Sequence, residues 1–304
     1  MAIKTYLMED QQTTASAGHQ VRMMLWGTPR SVSTVFAKFM SFIDDSQIYF
    51  EPYLCARWFG PDSHKFPENQ AMAEDFLQEA SKVTSVTEGF EASECTFSWA
   101  KEQLEKPHCG KKLIFCKEMC FSADDQYESL PVGYRHVFLL RHPLKVFPSW
   151  KKIYPFGEGK DFQLDEAAPV FFPAGFAFKE MSELVDHVTV AHDQDPIIID
   201  TDDLLNDPQG ILSELFKKVG LPFQDKYLQW EEGGAISKKW MICKAFLQGH
   251  IVWNYYKNAF GSTCFTKPSA LPDRSTLTAD LLRCVDASMP YYDKMFAQRL
   301  ILQN

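Results

Sequence analysis

Short apolar runs recur along the chain, separated by stretches in which apolar residues return at helical spacing. Val21 to Trp26 is the first run, closed by Gly27-Thr28-Pro29-Arg30-Ser31. So short and continuous a run predicts a strand covered on both faces. Val32, Val35, Phe36, Phe39 and Phe42 follow and predict a helix over 32–43. Further strands are predicted at Gln47 to Phe50, where Pro52 helps stop the strand, and at Lys112 to Cys116, His136 to Leu140 and Pro196 to Asp200. Helices are predicted over 71–82, 94–106 and 143–152, the last opened by Pro143 and kinked or shortened by Pro148. A long helical pattern runs from Asp165 to Ala191, interrupted by Pro173 and Gly175. Asp207 as cap, Pro208 in the first turn and Gly220 as terminator frame another helix. Residues 60–70 read as loop and 231–275 as irregular and aromatic; 276–302 reads as a helix pair or one long helix broken near Pro290.

Strands alternating with helices predict an α/β fold of three layers, a mainly parallel sheet with helices on both faces. With no repeat or linker in sight, the reading is a flexible leader over 1–20 and one domain over 21–304. A 45% share of hydrophobic residues suffices for a core, and a net charge of −9 disfavours nucleic acid and anionic membranes as partners. A small anion remains a candidate ligand, since a local cluster of cations and amides binds one regardless of global charge. The eight cysteines are scattered, and Cys116 and Cys120 lack the second pair a metal site needs, so no metal is expected. The first twenty residues are polar, and no run reaches the roughly 18 apolar residues of a membrane helix. The expectation is a cytoplasmic protein with reduced thiols.

Two segments carry chemistry. Trp26 to Thr34 joins a buried strand to a helix, and Arg30, the hydroxyls of Ser31, Ser33 and Thr34 and the free amides of the helix start suit a phosphate. The nucleotide loop G-x-x-x-x-G-K-S/T is absent, which argues against an ordinary ATP or GTP site. A helix simply capped by Ser31 would read the same way. The second segment begins with Arg141 at the tip of the fourth strand, where ligands of parallel sheets collect, and reaches Ser149. Together they suit a second phosphate; alone they suit an ordinary helix turn with a surface arginine.

Taken together, the two segments resemble the PAPS-dependent sulfotransferases, which use 3′-phosphoadenosine 5′-phosphosulfate. In that family a loop Pro-Lys/Arg-Ser-x-Ser/Thr-Thr binds the 5′-phosphosulfate, and an Arg and a Ser eight positions apart bind the 3′-phosphate. Pro29, Arg30, Ser31, Val32, Ser33 and Thr34 fit the first pattern; Arg141, Pro143 and Ser149 fit the second. Glu51-Pro52-Tyr53 and the stretch Asp200 to Gly210 are similar to forms shared by a group of sulfotransferase-like proteins. The resemblance spans residues 21–235 and implies the P-loop NTPase-like sulfotransferase fold, PAPS as co-substrate and no metal.

The resemblance also implies roles. Arg30 stabilises charge on the bridging oxygen, and Lys117 contacts the sulfuryl group unless it is a solvated strand end. Where cytosolic members have a catalytic His, this chain has Met119. Glu51 is the favoured general base and Glu118 the second candidate, with an ion pair from Glu51 to Arg30 or Arg57 as the competing role. His136 and His142 rank below both. The aromatics Trp58, Phe59, Phe66, Phe90, Phe97, Trp99, Phe171, Phe172 and Phe176 are core or line a pocket for a small apolar acceptor. The segment Trp253 to Thr263 closes over the nucleotide in this reading, and a homodimer is left open. Rival readings are a non-catalytic nucleotide-binding homologue and a kinase-like user of nucleoside triphosphates.

Overall fold

The computed structural model describes residues 20–67, 70–152, 163–165, 174–192 and 194–302. The expected leader, apart from Gln20, and Phe171 and Phe172 lie outside the described residues, as does much of the pattern before Ala191. Six strands, β1 (Val21–Gly27), β2 (Ser46–Phe50), β3 (Leu113–Met119), β4 (Arg135–Leu140), β5 (Ile197–Asp200) and β6 (Met241–Ile242), form one sheet in the order β5-β4-β1-β3-β2-β6. Every neighbouring pair is parallel. Met23, Met24, Leu25 and Trp26 are all fully buried, as are Val137 to Leu140. Successive side chains of a strand point to opposite faces, so both faces of the sheet are covered.

The covering helices are α1 (Ser33–Met40), α2 (Pro52–Trp58), α3 (Gln70–Ser81), α4 (Phe97–Glu105), α5 (Pro143–Lys151), α6 (Phe178–Ala191), α7 (Thr201–Asn206), α8 (Pro208–Val219), α9 (Lys244–Trp253), α10 (Lys257–Phe260) and α11 (Ala279–Phe296). Register gathers the strand ends that matter: Gly27 is level with both Met119 and Leu139, Phe50 with Lys117, and Leu140 with Asp200. The chain leaves β1 for β3 and β2 on one side, and β4 and β5 lie on the other. That reversal opens a crevice at the carboxyl ends of the strands.

Several expectations are corrected here. Pro52 does more than stop a strand: it opens α2 as its first residue. Residues 60–70 contain a short 3-10 helix, Pro61–Lys65, and the start of α3. The stretch 231–275 holds β6, α9 and α10. Pro148 and Pro290 both sit inside continuous helices, α5 and α11. Those two helices pack on each other, and that packing offsets the hydrogen bond each proline removes.

Candidate functional site

The loop after β1 is held in an unusual backbone shape. Arg30 and Val32 have φ of 65° and 59°, left-handed values that cost non-glycine residues energy and persist only when the surroundings impose them. The surroundings do so here. Ser31 Oγ donates to Thr28 O at 2.7 Å, and Thr201 Oγ1 donates to Ser31 O at 3.2 Å. A β-carbon on Gly27 would come within 2.9 Å of Ser31 Oγ, so the loop folds back over the strand end. The Ser31 hydroxyl is thereby spent inside the loop, and α1 begins with no side-chain cap. Thr96, His142, Asp200 and Asp207 cap α4, α5, α7 and α8. The starts of α6, α9, α10 and α11 lack such a cap as well, and α1's first amides are set apart by lying beside Arg30 and Ser33 on the cavity wall, where a ligand can meet them.

The second segment meets the first. Arg141 Nη1 donates to Arg30 O, and Arg30 Nε donates to Ser149 Oγ at 3.1 Å. Arg141 Nε is buried without a partner. Among the described residues neither guanidinium forms an ion pair with a carboxylate. Burial lowers the pKa of both, and for Arg30 the neighbouring Arg141 lowers it further. Two partly buried like charges with donors to spare form a seat for an anion.

These groups line a cavity of about 930 Å³ together with Ser33, Thr34 and Glu51. The late segment contributes Lys257, Asn258, Gly261 and Ser262 to its wall. Of the aromatics anticipated, Trp58 and Phe59 line the cavity; Phe66, Phe90 and Phe97 are core, and Trp99 and Phe176 pack against it. Phe76, Phe121, Trp150 and Phe246 also line it and escaped notice, because one ring in a helix or turn gives no sign of the direction it faces.

Glu51 follows β2. Its amide donates to Lys117 O at 2.8 Å, its φ is 56°, and it stands just before α2 without capping it. Its carboxylate pairs with the Lys117 ammonium, and both side chains are almost wholly buried. The partner is therefore neither Arg30 nor Arg57; Arg57 donates to Asp124 O and lies 3.9 Å from the centre of the Phe66 ring. Lys117 is fully buried rather than a solvated strand end, and Met119 Sδ lies 3.7 Å from its Nζ. Glu118 is also fully buried and absent from the cavity wall. One of its oxygens accepts from Tyr53 N at 2.7 Å, in the first turn of α2, and the other from Met119 N at 2.9 Å. Burial first, and then the neighbouring Glu51, push the Glu118 carboxyl up to about 8.

The remaining histidine candidates serve structure, as do the acidic residues at the end of β5 and just past it. Asp200 caps α7, and Asp202 pairs with Lys145. His142 Nδ1 accepts from Leu144 N at 3.1 Å. His136 Nδ1 accepts from Trp26 Nε1 at 2.9 Å, and burial pushes this imidazole down to about 3. Among the described residues no helix is long and apolar enough to cross a membrane.

Known proteins offer a comparison for this geometry. The chain is 26% identical over 213 residues to branched-chain-amino-acid aminotransferase-like protein 2 of Arabidopsis thaliana, covering 68% of this chain and 31% of that protein. To protein 1 of the same name and plant it is 28% identical over 193 residues, covering 60% of this chain and 28% of that protein. It thus spans about a third of the length of these curated relatives. Among solved structures it is similar to the sulfotransferase domain of the Synechococcus PCC 7002 olefin synthase, at 16% identity and a TM-score of 0.45, covering 94% of this chain and 98% of that one. The sulfotransferase domain from the curacin biosynthetic pathway matches at 14% identity and a TM-score of 0.43, covering 88% and 98%. The family model described as "Sulfotransferase domain" matches residues 111–299, a stretch that takes in Lys117, Glu118, Arg141 and Ser149. By that match, which covers more than half of its length, the chain belongs to the sulfotransferase-domain family.

Proposed function

We propose that the chain moves a sulfuryl group from PAPS to a hydroxyl or amine of a small, apolar acceptor. One observation carries this reading: two partly buried guanidiniums without carboxylate partners, and a helix start without a cap, share a cavity with the Glu51 carboxylate. PAPS carries phosphates at two positions, and this reading assigns one to the loop before α1 and the other to the Arg141–Ser149 pair. In this reading the amides of α1, with Arg30, Ser33 and Thr34, hold the 5′-phosphosulfate, and Pro29, Ser31 and Val32 shape the turn. Arg141 and Ser149 hold the 3′-phosphate, and Lys257 adds a cation from the late segment. Bound there, PAPS supplies an activated sulfuryl group.

Arg30 then faces the oxygen that gains charge as the S–O bond breaks, and a fixed cation at that point lowers the barrier. Glu51 accepts the proton of the acceptor hydroxyl or amine. Lys117 holds the Glu51 carboxylate in place, and Glu118 does not serve as the base, because two backbone amides occupy its oxygens and it lies off the cavity wall. The aromatic lobe excludes water and takes the acceptor's apolar body. A small-molecule acceptor, rather than nucleic acid or a membrane surface, fits the net charge of −9.

Calorimetric titration with adenosine 3′,5′-bisphosphate, without divalent cations, tests the donor seat. Turnover of labelled PAPS over matched phenols, alkanols and amines tests the reaction. Micromolar binding and label transfer to at least one apolar acceptor are expected. Absence of nucleotide binding would reject the donor; binding without transfer to any acceptor would favour a homologue that binds nucleotide and does not catalyse.

A further inference from the structure

Lys38 lies in α1, the helix whose start faces the donor seat, and it is fully buried. Its Nζ donates to Phe260 O and to Ser262 O, both at 2.8 Å. Among the described residues it forms no ion pair with a carboxylate. A buried ammonium whose hydrogen bonds go to two carbonyls, with the Glu232 charge acting on it from beyond ion-pair reach, is costly to keep, and an apolar side chain would cost less at so buried a position. The carbonyls it grips explain the exception. Phe260 is the last residue of α10, and Gly261 and Ser262 line the same cavity as Ser33 and Thr34. Other bonds to these carbonyls, from Trp230 Nε1 to Ser262 O and from Gly233 N to Phe260 O, come from the chain's own late portion. The Lys38 bonds instead come from α1.

We infer that Lys38 is a positioning residue that ties the late segment 257–263 to the helix of the anion loop, so that the segment stays closed along the donor. The inference rests on the donor seat proposed above. A tie of this kind acts on retention of the donor and leaves the chemical step alone, since Lys38 touches neither the reacting atoms nor Glu51.

The variant Lys38→Met keeps the length and removes the charge. With it, the dissociation constant for adenosine 3′,5′-bisphosphate and the KM for PAPS should both rise about tenfold, through faster release, while kcat at saturating donor stays within about threefold of wild type. A wild type that does not bind the nucleotide removes the donor seat and this inference with it. A wild type that binds, beside a folded variant that binds equally well and only melts earlier, overturns the inference and leaves the seat standing. Should the variant fail to fold, amide hydrogen exchange on the wild type decides: slower exchange across 257–263 upon nucleotide addition supports the tie, and unchanged exchange overturns it.

Discussion

The two ends of the cavity treat charge in opposite ways. At the loop end Arg30 and Arg141 lie side by side with no ion pair to a carboxylate among the described residues, Asp200 and Asp202 acting on Arg141 only from farther off, and the helix beside them lacks a cap. At the Glu51 end the buried acidic groups are spoken for: Glu51 pairs with Lys117, and the Glu118 carboxyl is held by two backbone amides. Unsatisfied charge inside a fold is costly, so where it persists a ligand completes it. Satisfied charge marks a device already assembled. The first end is thus a seat and the second a tool, and substitutions at the two should fail differently.

The largest effect belongs to the tool. Glu51→Gln should lower kcat by about 10²–10⁴-fold while the affinity for adenosine 3′,5′-bisphosphate holds, read from steady-state turnover beside calorimetry. Turnover equal to wild type would remove Glu51 as the base. At the seat, Arg141→Ala should weaken adenosine 3′,5′-bisphosphate by about 10–100-fold and AMP much less, because charge-assisted bonds to the 3′-phosphate are lost. Equal losses for both nucleotides would erase the distinction between two phosphate positions. Behind the tool, Glu118→Gln replaces an acceptor of two amides by a group that must point one donor at a donor. It should cost about 1–3 kcal/mol, read as a lowered midpoint in urea, with nucleotide affinity per folded molecule unchanged.

A pH-dependent effect lies on β4, beside β1. His136 stays neutral in the fold down to about 3, whereas an unfolded imidazole takes up a proton near 6.5. Between those values the unfolded chain binds more protons, so stability is present above about 6.5 and is lost as the pH falls, by at most about 1.4 kcal/mol per unit. His136→Asn, which keeps an acceptor for Trp26, should flatten that acid limb in urea melts at pH 4 to 7. An unaltered limb would assign it to other groups.

Legibility differed between the same two ends. The loop and the Arg141–Ser149 pair were readable because their chemistry lies in short contiguous stretches, and the strands carrying them are apolar runs that match β1, β3, β4 and β5 within a few residues. The surroundings of Glu51 were less so. Its partner Lys117 and neighbour Glu118 sit 66 and 67 positions later and meet it only through the register of β2 on β3. The helix that follows Glu51 went unseen because a proline after a strand reads first as a stop. β6 and α10 were missed for a related reason: a two-residue strand and a four-residue helix carry no periodicity, and packing alone makes them.

The bond from Arg141 to the main-chain oxygen of Arg30 bears on how any truncation there is interpreted. That guanidinium is a strut as well as a cation, and shortening it slackens the neighbouring turn at the same stroke. The affinity lost is therefore a ceiling on what the positive charge contributes by itself, and a lysine at 141 would begin to separate the two.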